Sequence, residues 1–426
     1  MIAALIAAML LQTAAPLAQE GCSRSLCDAD RLAPVFEKLA TARKTARTVR
    51  IIQIGDSHTA ADQVTGSWRT LLQARFGAAG RGVLPPGRPY AGYLTRNVTA
   101  TQTGTWVTSG IFGAAWHPDW ATPIGLSGYS LTSAAPGAAM GLRADDSTQR
   151  FGRFTVCALT GPGAGAVMLT LGTEQRSWSL AAPVPGSDCT TVETQTPSAS
   201  AALVVTQGVV TITSWATEAP PAGGVTLSNL GTVGAQFLHY DRTDEAVMAR
   251  ELAAYRPDLL VLAFGTNEAF YPRFTAGGYA EQLSAGIARL QRLAPGVPIL
   301  LVGAPDSATR LASLQGGAGG VSPPCPGLDP ADPWRPTAAL ATVQAIQRRI
   351  AHQRGIAYWD WSTSMGGRCT ATDWATRQPP LMRGDHVHFT TQGAAEIARR
   401  LEEDLEDAMA PSRSEPRTNA TTSPNR

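Results

Sequence analysis

Residues 49–56 read VRIIQIGD, a compact apolar run that breaks at Gly55, with Ser57 and His58 immediately beyond it. Past the break, Val64, Trp68, Leu71, Leu72 and Phe76 recur at the spacing that lines one face of a helix. Strand, tight turn and helix therefore follow one another. The same grammar returns in PDLLVLAFGTNE (257–268) and VPILLVGAP (297–305), and IAYWDW (356–361) supplies a further strand. Uninterrupted apolar runs of this kind suit parallel strands buried on both faces. Helical stretches are expected over roughly 280–293, 338–354 and 392–407, and their alternation with the strands predicts a parallel α/β sheet.

From about residue 91 to 224 the texture changes to Thr, Ser, Gly, Val and Ala. Short β-like runs appear there: RFTVCALTG (153–161), AVMLTLG (166–172) and ALVVTQGVVTITSW (202–215). Turn signals every ten or so residues, with weak helical periodicity, predict an inserted all-β, sandwich-like domain over 91–224. The α/β unit is then discontinuous, 19–90 plus 225–409. Residues 315–336 are rich in Gly and Pro and read as a loop; the polar tail 410–426 reads as disordered.

Net charge is +2 and only 16% of residues are charged, so no basic face is concentrated enough to make nucleic acid the partner. Residues 1–18, MIAALIAAMLLQTAAPLA, form a short apolar run ending in small residues. They read as a signal peptide removed on export, although their start carries no Lys or Arg. A membrane anchor is the alternative, but the run is short for a span, and no stable membrane insertion is expected after signal removal. The six cysteines fall into sequence-ordered couples, Cys22 with Cys27, Cys157 with Cys189 and Cys325 with Cys369. Disulfides within each couple, formed in an oxidising periplasm or outside the cell, fit this usage. No Cys/His spacing argues for a metal, and no cofactor is implied.

Acyl transfer needs a reachable nucleophile, a base for its proton and donors aimed at the developing oxyanion. Ser57 follows a buried strand, which places it at the carboxyl edge of the sheet, where open α/β folds bind ligands. A GDS tripeptide alone is more often just a turn. The segment RGDHVHFT (383–390) changes that balance, because one loop delivers Asp385 and His388 three residues apart. Asp385 would hold the Nδ1 proton of His388, leaving Nε2 for Ser57. His386, next to Asp385, should point the other way in an extended segment. Gly234 in NLGTVGAQ and Asn267 in LAFGTNEAF follow strand-like runs and are the candidate oxyanion donors.

The blocks GDSH, NLGTVGAQ, GTNE and DHVHFT stand in the order that names the SGNH (GDSL-like) hydrolases, which this chain resembles. The resemblance implies a flavodoxin-like, three-layer parallel sheet, a triad of Ser57, Asp385 and His388, and an oxyanion hole of Ser57, Gly234 and Asn267. The strings IGDSHTAAD, NLGTVGAQ and LAFGTNEAF are more specifically similar to bacterial peptidoglycan O-acetylesterases, which carry an inserted carbohydrate-binding-module-like sandwich. O-acetylated peptidoglycan, or another acetylated glycan, is the implied partner; an acetylesterase for another polysaccharide and a sugar O-acetyltransferase would use the same triad. Five of the ten tryptophans lie in the insert: Trp106, Trp116, Trp120, Trp178 and Trp215. Trp178 and Trp215 read as sandwich core. Trp116 and Trp120, in AAWHPDW, read as a loop able to stack on sugar. His117, His239 and His352 read as surface or packing residues.

Overall fold

The strand Thr48–Gly55 pairs in parallel with Gly224–Gly231 on one side and Leu259–Ala263 on the other. Ile299–Val302 and Ala357–Trp359 continue the sheet beyond Leu259–Ala263, also in parallel. Numbered along the chain, these five strands lie in the order 2-1-3-4-5, the flavodoxin-like arrangement. The sheet is thus the parallel α/β arrangement expected. These observations come from a computed structural model, which describes residues 21–119, 121–220, 223–314, 322–326 and 331–410. The signal-peptide reading of residues 1–18, the tail beyond residue 410, and Trp120 lie outside the described residues.

Alternation along each strand sends successive side chains to opposite faces. Ile52, Ile54, Leu260, Leu262 and Leu301 enter one core with Leu252, Ile287 and Ile346 from the helices Glu245–Tyr255, Ala276–Leu293 and Ala338–Arg354. Val49, Ile51, Val261, Leu300 and Val302 enter the other with Trp68, Leu72, Ile397 and Leu401 from Val64–Phe76 and Thr391–Met409. Three layers result. The helix expected to start near residue 280 begins four residues earlier, at Ala276, and the last helix runs to Met409. At the far edge, Cys22–Ser23 and Leu26–Cys27 form a small hairpin that adds antiparallel to Ala357–Trp359 and is closed by the Cys22–Cys27 disulfide.

Two antiparallel sheets, of five and six strands, are interposed in the chain between the first two parallel strands. Their facing sides enclose a separate core that includes Phe154, Val156, Leu169, Leu203, Ile212 and the fully buried Trp215, with Trp178 packed partly buried against it. The run 202–215 makes two strands, Ser200–Gln207 and Val210–Glu218, turned at Gly208 with φ +65°. Gly82–Leu84, which precedes the compositional boundary near residue 91, also joins this assembly by pairing with Val210–Glu218. Cys157–Cys189 clips two neighbouring strands and Cys325–Cys369 ties a loop to the segment before the helix Thr370–Thr376, so all three cysteine couples pair as expected.

Beneath the turn that carries Ser57 lies a fully buried ionic network. Asp62 accepts bonds from Arg69 Nη2 to both carboxylate oxygens (2.7 and 2.8 Å), from Arg81 Nη2 (3.2 Å), from the Arg96 N–H (2.8 Å) and from Thr65 Oγ1 (2.7 Å). Arg81 also donates to Asn229, whose Nδ2 donates to the Thr59 carbonyl at 3.0 Å. The network therefore reaches from the start of the sandwich to the nucleophile turn. Burial acts to raise the Asp62 carboxyl, but the charges of Arg69 and Arg81 and the N–H and hydroxyl donors outweigh it and leave the group below its usual range. Burial, reinforced by the like charge of Arg81, pushes the Arg69 guanidinium down to about 9.

A carboxylate with a lowered folded-state pKa adds stability that is present above its unfolded value and lost as pH falls through the folded one. Asp62→Asn leaves two buried guanidiniums without their counter-ion, and we expect a loss of about 3–5 kcal/mol at neutral pH. Urea denaturation of the variant against the wild type measures it; a loss under 1 kcal/mol would contradict this account of the network.

Candidate active site

Three neighbouring strands end at one level, because Gly55 is in register with both Gly231 and Ala263. Ser57, Gly234 and Asn267 lie two, three and four residues past those ends, at the same carboxyl edge of the sheet. Two glycines permit the close approach. A Cβ at Gly55 would stand 2.2 Å from Thr59 Oγ1 and 2.6 Å from the Ala263 carbonyl, and one at Gly231 would stand 2.1 Å from the Ala60 nitrogen.

Ser57 opens the short helical turn Ser57–Ala60, capped by the Asp56 side chain, which accepts from the His58 N–H. Being the first N–H of that turn, Ser57 N has no helical acceptor. Its hydroxyl lies 3.0 Å from His388 Nε2, and His388 Nδ1 lies 2.8 Å from Asp385 Oδ2. Asp385 Oδ1 accepts the N–H groups of Val387 and His388 at 3.0 and 2.9 Å. Partial burial acts to raise the Asp385 carboxyl, yet those two N–H bonds and the His388 ring prevail and hold it below the usual carboxylate range. An ionised Asp385 can only accept, so Nδ1 carries the proton and the bare Nε2 faces the serine O–H. That arrangement can take a proton from Ser57.

The GDSL-like Lipase/Acylhydrolase family matches residues 200–396. A solved peptidoglycan O-acetylesterase structure is similar at 26% identity and a TM-score of 0.72, covering 90% of this chain and 99% of that one. Over that segment the chain is similar to the GDSL-like (SGNH) hydrolases, and the two likenesses together support a carboxylic ester hydrolase. A family two carbohydrate esterase from Cellvibrio japonicus, at 13% identity, covers 73% of this chain and 98% of its own with a TM-score of 0.29. No curated protein matches the chain.

The esterase's remaining predicted donors are held by a set of cross-loop bonds. Asn267, in the turn Thr266–Ala269, donates from Nδ2 to the Ala235 carbonyl at 2.9 Å, which orients the amide and leaves its second N–H free. Gln236 Nε2 returns a bond to the Asn267 carbonyl at 3.1 Å. Glu268, buried, accepts from the Phe237 N–H at 2.7 Å and from the Gly265 N–H at 3.0 Å. Gly234 sits half-buried between these loops with φ +77°, a conformation that favours glycine.

His386 is buried, with φ +56°, its ring stacked on Trp334 at 3.7 Å and its Nδ1 3.3 Å from Thr372 Oγ1. It points away from Ser57's partner, as the spacing predicted. His58, quoted in the sequence but given no part there, lies at the heart of the site. Its Nδ1 is 3.2 Å from Asp56 Oδ1 and its Nε2 is 3.0 Å from the Val387 carbonyl. Both neighbours are acceptors, so both ring nitrogens donate. Burial acts against the charged ring, but Asp56 and the Val387 carbonyl overcome it and raise the pKa of His58. Its position directly after the nucleophile was the available signal.

Trp116 is exposed on a loop, with the Arg242 guanidinium 3.8 Å from its ring centroid. Phe112, from the same loop, stacks on His239 at 4.4 Å and lies 2.8 Å from where a Cβ on Gly234 would stand. The inserted segment thus borders the Gly234 turn. His239 is buried there and accepts the Gln236 N–H at 3.0 Å; burial and Arg242 push it down to about 4. His117 and His352 are exposed. Among the described residues no group of three His, Cys, Asp or Glu side chains could hold a metal ion.

His388→Ala should remove nearly all ester turnover, while His386→Ala should retain most of it. Initial rates on a chromogenic acetyl ester test the pair, and the opposite ranking would reassign the base.

Proposed function

We propose that the protein is an exported serine esterase that removes O-acetyl groups from peptidoglycan, at the 6-hydroxyl of N-acetylmuramic acid. The observation that carries the mechanism is the continuous chain Asp385, His388, Ser57 at 2.8 and 3.0 Å. His388 takes the Ser57 proton as Oγ attacks the acetyl carbonyl, and the tetrahedral oxyanion is met by the Ser57 and Gly234 N–H groups and the free N–H of Asn267. His388 then protonates the departing sugar hydroxyl, leaving acetyl-Ser57. Water, deprotonated by His388, releases acetate and restores the serine.

A small cavity of about 40 Å³ opens beside the catalytic pair and is lined by Ser57, His58, Ala61, Gln63, Val64, Arg383, His388 and Phe389, so an ester can reach the nucleophile. The likeness to a peptidoglycan O-acetylesterase supports the polymer, and three disulfides support an oxidising compartment outside the cytoplasm. No helix among the described residues is long and apolar enough to cross a membrane. The inserted sandwich, with Trp116 exposed on the loop whose Phe112 borders the Gly234 turn, is suited to contact the glycan chain.

Muropeptides analysed by mass spectrometry before and after incubation should lose acetyl from muramic acid with wild type and keep it with Ser57→Ala. A serine-directed phosphonate should label Ser57; labelling elsewhere would overturn the assignment. Asn267→Ala should lower kcat by about 10² to 10³ with little change in KM, because the lost donor faces charge present only in the transition state. Steady-state kinetics on an aryl acetate measure that split, and a change confined to KM would place Asn267 in ground-state binding instead.

A further inference from the structure

Between the sandwich strands Val107–Gly110 and Tyr129–Ser133 the chain leaves the insert and packs on the turn Phe237–Arg242, just past Gly234. Ile111 anchors it there. Its side chain is fully buried in the core shared with Phe237 and Tyr240, its N–H donates to the Gly128 carbonyl at 3.1 Å, and its carbonyl accepts from Arg242 Nη1 at 2.7 Å. Trp116 closes the other end of the segment against the Arg242 guanidinium. Phe112 is thereby held from both sides.

From Phe112 a series of contacts leads to both proposed oxyanion loops. The ring stacks on His239, with centroids 4.4 Å and planes 19° apart, and its Cε1 stands 2.8 Å from where a Cβ on Gly234 would be. His239 Nδ1 accepts the Gln236 N–H at 3.0 Å, so the imidazole is neutral with its proton on Nε2. Gln236 Nε2 donates to the Asn267 carbonyl at 3.1 Å, and Asn267 Nδ2 donates to the Ala235 carbonyl at 2.9 Å. Gly234, at φ +77°, has no side chain to pin its own turn, and the Phe112 ring fills the space where one would lie. Oxyanion donors act by being fixed before charge develops, and a displacement of about 1 Å costs on the order of 10²-fold in rate.

We infer that Phe112 is a positioning residue: through its stack on His239 and its contact with the Gly234 turn, the inserted sandwich holds the oxyanion hole in its working geometry. The insert then serves turnover of every ester, small or polymeric, as well as contact with polymer. This deepens the esterase reading and rests on Gly234 and Asn267 being the oxyanion donors. Phe112 also governs the state of His239. Burial under the ring, with the charge of Arg242 on the same turn, pushes the imidazole down to about 4, while Glu268 behind the turn is bonded to the N–H groups of Phe237 and Gly265. Protonation would turn Nδ1 from acceptor to donor and break its bond with Gln236.

The test is steady-state kinetics on an aryl acetate, a substrate that carries no sugar. Phe112→Ala should lower kcat by about tenfold or more with KM within about twofold, and Phe112→Tyr, which keeps the ring, should recover most of the loss. The ratio of variant to wild-type kcat cancels every titration the two enzymes share. For Phe112→Ala that ratio should fall further below about pH 6.5, where the uncovered His239 takes a proton that the covered one refuses. Wild type alone supplies a second arm, independent of how the variants fold. A phosphonate on Ser57 places an oxyanion mimic in the hole and should shift the NMR signal of the His239 ring, assigned with His239→Gln, while the exposed His352 stays unmoved. An unchanged kcat, a loss confined to KM, a ratio flat in pH or a motionless His239 signal would overturn the inference. A wild type that leaves the aryl acetate intact would instead reject the esterase reading, and the inference with it.

Discussion

Everything at the active edge depends on three adjacent parallel strands stopping together. Parallel pairing aligns Gly55 with Gly231 and with Ala263, and the chain leaves the sheet at each of those points within a few residues of a chemically useful group. Hydrogen-bond register sets this alignment, so a one-residue slip in any pair would turn the core-facing side chains to the wrong face and separate nucleophile from oxyanion donors together. Because both faces of the sheet are buried, that slip would exchange the Ile, Leu and Val side chains between two cores, each packed around the other set. Hydrophobic burial therefore holds catalytic geometry, although no catalytic group is itself hydrophobic.

The nucleophile turn also has a floor. Asn229 holds the Thr59 carbonyl, Gln53 Nε2 holds Thr59 Oγ1 at 3.0 Å, and Arg81 and Arg69 converge behind them on Asp62. A buried ionic cluster is a poor source of net stability, but each of its bonds is directional, and losing one leaves a charge stranded. Such a cluster is suited to fixing a turn in one conformation. On the opposite side His58 ties Asp56 to the Val387 carbonyl, so the residue after the nucleophile is bonded to the residue before the base. Ser57 and His388 are thus registered by their neighbours as well as by their own contact.

The parallel sheet was legible because its strands are continuous apolar runs bounded by glycine, and the Ser57, Asp385 and His388 grouping was legible because chemistry demands those types at a strand end and before a helix. What escaped was relational. Nothing in the spacing of Asp62, Arg69, Arg81 and Asn229 reveals that they meet, since Asn229 comes from a strand on the far side of the inserted sandwich. His239, read as a surface or packing residue, does pack, but its partner was not legible: it lies buried under Phe112 because the insert folds back beside the Gly234 turn. Gly82–Leu84 is a three-residue strand, too short to show a period, and pairing with Val210–Glu218 recruits it to the sandwich.

Glu268 shows how the two oxyanion loops are coupled. Its two oxygens bind the N–H of Phe237, past the Gly234 turn, and the N–H of Gly265, before Asn267, so one carboxyl spans both loops. Burial raises its pKa to about 7, against the pull of those same N–H groups. The sign has a consequence for folding. An acid with a raised folded-state pKa contributes most below its unfolded value and loses that contribution as pH climbs through about 7. Ionisation, however, strengthens each N–H bond it accepts, since charge-assisted bonds are the stronger ones. Stability and loop coupling therefore move in opposite directions across neutral pH, and the donors facing the oxyanion are held most firmly where this carboxyl costs the fold most.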